Sequence, residues 1–392
     1  MTDACYLNNN DYKLKFELGD IKRRLSKFKE ALDLFNHCES ADVHYENLPF
    51  WIAYCYERIN KISESKSYYF KSIKLGESKK EAHFRLGVCE KIEFNFVAAR
   101  EQFKKVTQLD AKMAAAWSEL GVCNMRLGKN TSAIEYGKHA IKIDPNNAAL
   151  LNQLGVIYFQ GPEDNSKAIK YYEKALEIDP NLGQAKYNLS LSLLKTGKYE
   201  KAWKLHKSRW ETDQFKSNVS YKSLDRRLEK ISSGKLLDWD GNPEDHVLLL
   251  AEQGVGDQII FSAIITELQK KCKKLSVLVD PRLISLYLNV YSKKITFYSR
   301  FLELKEGLFD SKIHMADAFG RFRKSDLDFK KTQFPYLRKK AFGPQELKKI
   351  FPNIPSLNAQ KLIGISWKSQ NPYTGNLRSL SLQNLCDFIP DD

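Results

Sequence analysis

The amino-acid sequence predicts an α solenoid followed by an α/β region. Three observations lead there. A large apolar residue followed by a small one recurs at Leu18-Gly19, Ile52-Ala53, Leu86-Gly87, Leu120-Gly121 and Leu154-Gly155, at a fixed interval of 34 residues, and Leu189-Ser190 follows after 35. A period of that length marks a stacked helical repeat. In the second half the run Val247-Leu248-Leu249-Leu250-Ala251 suits a strand buried on both faces of a parallel sheet. Near the end, Leu362-Ile363-Gly364-Ile365-Ser366-Trp367 reads as another strand of that kind.

Further positions keep the repeat beat. The first unit carries Ala31, Phe35 and Cys38, and the third carries Ala99 and Phe103. Trp117, Leu120, Gly121, Ala133, Ala140 and Pro145 set out the fourth unit. The fifth repeats them with Leu154, Gly155, Tyr158, Ala168, Tyr172, Ala175 and Pro180, after one inserted residue at Gly161-Pro162. Ala202 belongs to the sixth. Each unit reads as two short amphipathic helices. Small residues let the paired helices approach, and Asp-Pro at 144–145 and 179–180 stops the second helix, because proline supplies no amide hydrogen and restricts the residue before it. One unit cannot bury its apolar face alone, whereas a stack can. These offsets resemble the tetratricopeptide repeat, in six units over 12–216. The stack leaves a concave groove lined by the first helices, a shape suited to a protein or peptide partner.

The chain has 392 residues, room for two or three units of ordinary size, and a formal net charge of +15. Such a balance permits anionic partners. Yet no dense basic block interleaved with aromatics occurs, so nucleic acid is not an expected partner. The seven cysteines contain no Cys-x-x-Cys pair, and Cys55, Cys89 and Cys123 fall at one equivalent repeat position. They read as small packing residues in a reducing compartment. The polar start of the chain does not read as a signal peptide, and the longest apolar runs read as too short to span a bilayer. A cytoplasmic location is expected.

After Trp210 the period fades. Residues 217–245 read as a polar connector. A strand at 247–251 leads into Glu252-Gln253-Gly254-Val255-Gly256-Asp257, then a helix over 258–270, a strand at 276–280, a helix opened by Pro281, and a strand at 295–298. This alternation predicts an open α/β sheet. We place a Rossmann-like lobe at 246–355 and the start of a second lobe at 360–392. A lobe of that kind needs on the order of 100 residues, so a chain stopping at Asp392 is expected to be truncated.

Gly254 and Gly256 allow a tight turn between strand and helix, where amide hydrogens attract anions. Asp257 would sit at the carboxyl end of the strand, where open sheets bind ligands, and a carboxylate there can take a proton from an attacking hydroxyl. It serves equally well as a cap for a helix starting at Gln258. A dinucleotide fingerprint would need a third glycine where Ile259 stands, although Asp280 could imitate its ribose-binding acid.

Trp239-Asp240-Gly241, then 250–257, then Asp280-Pro281-Arg282-Leu283 resemble tetratricopeptide proteins with a C-terminal glycosyltransferase-like domain. That domain is similar to the ADP-heptose:lipopolysaccharide heptosyltransferase family, with a two-lobed GT-B fold. Supporting segments are Phe309-Asp310 to His314, Pro335-Tyr336-Leu337, and 364–369 with Arg378-Ser379-Leu380. The resemblance implies inverting sugar transfer from a nucleotide-sugar donor to an acceptor hydroxyl. It makes Asp257 the general base and brings Lys368, Ser369 and Arg378 to the donor diphosphate, with His314 at the lobe edge. No metal or resident cofactor is implied. The groove position holds Glu17, Trp51, Arg85, Glu119, Gln153 and Asn188 rather than the asparagine ladder of protein O-GlcNAc transferases. The alternative is a non-catalytic scaffold for protein–protein interaction.

Overall fold

A computed structural model describes residues 11–41, 45–212, 236–251, 254–300 and 307–330. Twelve helices in the described first half form six pairs: α1 (Tyr12–Arg24) with α2 (Phe28–Ser40), α3 (Leu48–Arg58) with α4 (Ile62–Leu75), α5 (Lys79–Ile92) with α6 (Phe96–Leu109), α7 (Ala114–Arg126) with α8 (Asn130–Ile143), α9 (Ala148–Gln160) with α10 (Asn165–Ile178), and α11 (Gly183–Lys195) with α12 (Tyr199–His206). The solenoid expected from the period is present. Helices α8 and α10 stop one residue before their Asp-Pro pairs, with Asp144 and Asp179 already out of the helical region.

Size complementarity between glycine and ring explains the beat. A Cβ on Gly19 would lie 2.7 Å from the Phe35 ring, one on Gly87 2.8 Å from Phe103, and one on Gly155 2.5 Å from Tyr172. In these three units the aromatic residue of the second helix therefore rests on the bare backbone of its own first helix. The fourth unit breaks the rule, because Gly137 replaces the ring. Ile157 of the next unit fills the space: its Cδ1 lies 2.9 Å from where a Cβ on Gly121 would be and 3.3 Å from one on Gly137. Cys55, Cys89 and Cys123 occupy the place of Ile157 in earlier units, each in one cluster with Phe35, Tyr69 or Phe103. All three thiols are buried and free. Burial pushes Cys55 and Cys123 up to about 12 and Cys89 up to about 11.

The second half holds a four-stranded parallel sheet, β1 (His246–Leu250), β2 (Lys274–Val279), β3 (Thr296–Ser299) and β4 (Ser311–His314), in the order β3-β2-β1-β4. It is flanked by α13 (Val255–Phe261), α14 (Ile265–Gln269), α15 (Pro281–Val290), α16 (Met315–Phe322) and α17 (Asp326–Lys330). The single helix expected over 258–270 is broken by a 3-10 turn at Ser262–Ile264. There Ser262 Oγ donates to Ile259 O at 2.7 Å, a local bond that competes with the helical ladder. Pro281 opens α15 as expected, behind the N-cap Asp280. Residues 236–239, read from sequence as connector, run beside β4: Trp239 N donates to Lys312 O at 2.7 Å and the indole is buried in the α/β core.

Candidate functional site

The groove position of the repeats lies on the first helices, and its middle members bond to one another across units. Gln153 Nε2 donates to Glu119 Oε1 at 3.3 Å, Ser118 Oγ donates to Gln153 Oε1 at 2.7 Å, and Lys91 pairs with Glu119. Asn188 Nδ2 donates to Asn152 Oδ1 at 2.9 Å. Arg85 reaches Glu57 at 3.3 Å. These polar groups are therefore spent within the protein along the centre of the array.

The N-terminal end differs. A hollow of about 660 Å³ opens between α1 and α3, with Phe16, Glu17, Tyr45, Glu46 and Trp51 in its wall. Phe16 stacks on Tyr45 with centroids 4.7 Å apart, and the Arg23 guanidinium lies 3.8 Å from the centre of the Trp51 ring. Asp20 pairs with both Arg23 at 2.5 Å and Arg24 at 2.7 Å. Glu17 and Glu46 form no ion pair among the described residues. The hollow thus has an aromatic floor and, with three carboxylates against two guanidiniums, a small acidic surplus at its rim.

At the carboxyl edge of the sheet, β1 and β4 lie side by side with Leu250 opposite His314. Order β3-β2-β1-β4 makes the gap between these two strands the point where the chain reverses direction across the sheet, the usual ligand crevice of such folds. Gly254 is the N-cap of α13 and Asp257 lies in its first turn, so Asp257 is not the cap of a helix starting at Gln258. The exposed carboxylate folds back over the loop: a Cβ on Gly254 would lie 2.9 Å from Asp257 Oδ2. Buried Gln258 ties the loop to the sheet, accepting from Asp280 N at 2.9 Å while its carbonyl accepts from Tyr287 Oη at 3.0 Å. Asp280 caps α15 and holds Arg282 at 2.8 Å, which draws its carboxyl below the usual range. That carboxylate is spent on structure. Lys368, Ser369 and Arg378 lie outside the described residues. Among the described residues, no cluster of three or more His, Cys, Asp or Glu side chains is placed to hold a metal ion.

His314 packs against the end of the solenoid. Its ring packs on Trp210 with centroids 4.4 Å apart, and burial pulls its pKa down to about 3. Beside it buried Arg209 donates to Asp317 Oδ1 at 2.8 Å and to His206 Nδ1 at 3.1 Å. Arginine is a donor only, so His206 must accept through an unprotonated Nδ1. Burial, then the Arg209 charge, pulls its pKa down to about 4. Burial alone would raise Asp317, but the Arg209 contact outweighs it and the carboxyl is held low. Trp203 closes this joint: its Nε1 donates to Arg323 O at 2.7 Å, and a Cβ on Gly320 would lie 2.8 Å from its ring. Arg323 forms a two-pronged pair with Glu267 of α14, at 3.0 and 2.5 Å. Sequence reasoning missed Trp203, Arg209 and Asp317. The available signal was Trp203 at the place of Ile134 and Ile169 in the last of the described units.

Residues 112–181 match the family model for the tetratricopeptide repeat. The chain carries tetratricopeptide repeats. Among solved structures it is similar to YrrB, described as a tetratricopeptide protein with an unusual peptide-binding site, at 19% identity over 47% of this chain and 94% of that one, with a TM-score of 0.39. It is similar to MamA at 26% identity over 42% of this chain and 96% of that one, TM-score 0.35. A tetratricopeptide repeat protein from Parabacteroides merdae gives 18% identity over 55% and 86%, TM-score 0.48. No curated protein matches the chain. No helix among the described residues is long and apolar enough to cross a membrane.

Proposed function

We propose that the protein is a binding scaffold whose repeats hold an extended segment of a partner protein at the N-terminal end of the groove. The observation that carries this is the hollow between α1 and α3. Its floor is aromatic, both its arginines pair with Asp20, and the carboxylates of Glu17, Asp20 and Glu46 outnumber the two guanidiniums. Groups so arranged favour a segment that joins an apolar side chain to a basic one. The test is selection of peptides on the full chain, followed by calorimetry with Trp51→Ala and Glu17→Lys. Basic-apolar peptides should emerge, with affinity falling about tenfold or more in each variant, the usual cost of losing an interface anchor. Selected peptides that bind both variants as well as the parent would place binding elsewhere.

A second reading is sugar transfer by the α/β half, with Asp257 as base. What supports it is the parallel order β3-β2-β1-β4 and the placing of Gly254, Gly256 and Asp257 in the loop leaving the carboxyl end of β1. Lys368, Ser369 and Arg378 are proposed to meet the diphosphate of a nucleotide-sugar donor. Asp257→Asn should abolish transfer at unchanged melting temperature, and full turnover by that variant would dismiss the base.

A further inference from the structure

Between the end of the solenoid and the sheet lies a cavity of about 380 Å³, within the size range of small-molecule sites. One wall comes from α12 and the 3-10 turn after it, through Trp203, Lys204 and Lys207. The facing wall comes from β4, α16 with the turn after it, and the segment 236–239 beside β4, through Trp239, His314, Arg321 and Lys324. Neither half contains the cavity alone.

Its charge is lopsided once internal pairs are removed. Asp317 is answered by Arg209 at 2.8 Å, and Glu200 stands 3.7 Å from Lys204. Arg321 lies across the Trp239 ring at 5.1 Å and donates to the carbonyls of Asp240 and Trp239, which fixes the guanidinium at the wall. Lys207 and Lys324 are exposed at the wall, and neither ammonium forms an ion pair among the described residues. Asp238 is the acid left to oppose Arg321, Lys207 and Lys324. The neutral ring of His314 adds no charge at pH 7. The result is a site with about two surplus positive charges, an indole on each side and one guanidinium held in place by two carbonyls, whose charge and remaining N–H groups suit an anion such as phosphate.

We infer that this joint binds a small phosphorylated molecule, its phosphate dianion held by Arg321, Lys207 and Lys324. Because the ligand touches α12 and α16 together, it fastens the solenoid to the sheet, so occupancy stabilises the joined form by mass action. The site lies apart from the N-terminal hollow and from the Asp257 loop, so it stands or falls without either reading above.

The test is calorimetry on the full chain at fixed ionic strength, with inorganic phosphate and with glucose 6-phosphate as probes, beside thermal melts. Lys207→Glu and Lys324→Glu are the variants, since both side chains are exposed and carry no packing. Saturable binding of either probe, a melting temperature that climbs with it, and affinity lost about tenfold in each variant would support the site, that being the scale of one charge-assisted contact. Tighter binding of the ester would identify the sugar phosphate as the ligand form, and tighter binding of phosphate the free anion. Absence of saturable binding up to millimolar concentration overturns the inference. So does equal binding by parent and variants whose melting temperatures match.

Discussion

Ile157 should be worth far more to stability than the cysteines that hold its place in other units, and its value should depend on Gly137. The side chain is fully buried and fills what would be a void between two glycines. Ile157→Cys removes part of that filling with no ring to take over, at a cost of about 2–3 kcal/mol, between the usual losses for Ile→Val and Ile→Ala. Gly137→Phe alone forces a ring where a Cβ would already stand 2.8 Å from Leu154 Cδ1 and 3.3 Å from Ile157 Cδ1, an overpacking cost of about 1–3 kcal/mol. The two changes together recreate the ring-and-cysteine arrangement of Phe103 with Cys123, where Leu120 stands as Leu154 does here. Their effects should therefore cancel in large part, with a coupling energy of about 2 kcal/mol or more. Urea unfolding followed by far-ultraviolet dichroism measures all four corners of the cycle, provided the m-value holds constant. A double variant whose loss equals the sum of the single losses within about 0.5 kcal/mol would refute the size-complementarity argument.

Gly155→Ala should lower stability by about 1–3 kcal/mol in the same assay, because the added methyl would sit 2.5 Å from the Tyr172 ring; a neutral result would mean the ring moves freely. Acid should loosen the joint before it unfolds the repeats. His206 is held near 4 against an ordinary 6.5, so the unfolded chain takes up a proton first. That stability is complete above about pH 6.5 and drains as pH falls toward 4, about 3 kcal/mol for this group. His314 extends the loss in the same direction toward 3. Tryptophan fluorescence against pH should show the early transition, and His206→Gln should flatten it; an unchanged slope would remove His206 as its source.

The repeats were legible because their contacts are local and recur. A glycine under a ring imposes its spacing on the sequence each time it occurs, so Gly87 with Phe103 and Gly155 with Tyr172 announce themselves. Strand β1 was legible for a different reason, since four consecutive residues are buried on both faces and all are apolar. Strand β4 is an edge of the described sheet, and of its Ser-Lys-Ile-His only Ile313 is a core side chain, so nothing in its composition marks a strand. The candidate groups on the Asp257 loop could be named from residue type and position. Their partners could not, because Gln258 with Asp280, and Arg209 with Asp317, meet only through tertiary packing.

The joint shows how a repeat position changes its task where the repeats run out. The residue after the buried alanine of the second helix is Ile134 in the fourth unit and Ile169 in the fifth, and both pack within the solenoid core. In the sixth unit it is Trp203, and its ring packs on the α/β core instead. A stack that stops leaves its last apolar face open, and an end of that kind needs a cover. Here α16 supplies it, with Gly320 bare under the indole just as Gly155 is bare under Tyr172. His206 belongs to the same logic. It stands where earlier units place Phe35, Tyr69, Phe103 or Tyr172, and here the ring accepts from Arg209. The guanidinium it helps hold is then fully buried against Asp317, a costly pair to build and a costly one to break. Such a pair binds only the matching surface. It selects one docking geometry of sheet on solenoid where an all-apolar end would accept many.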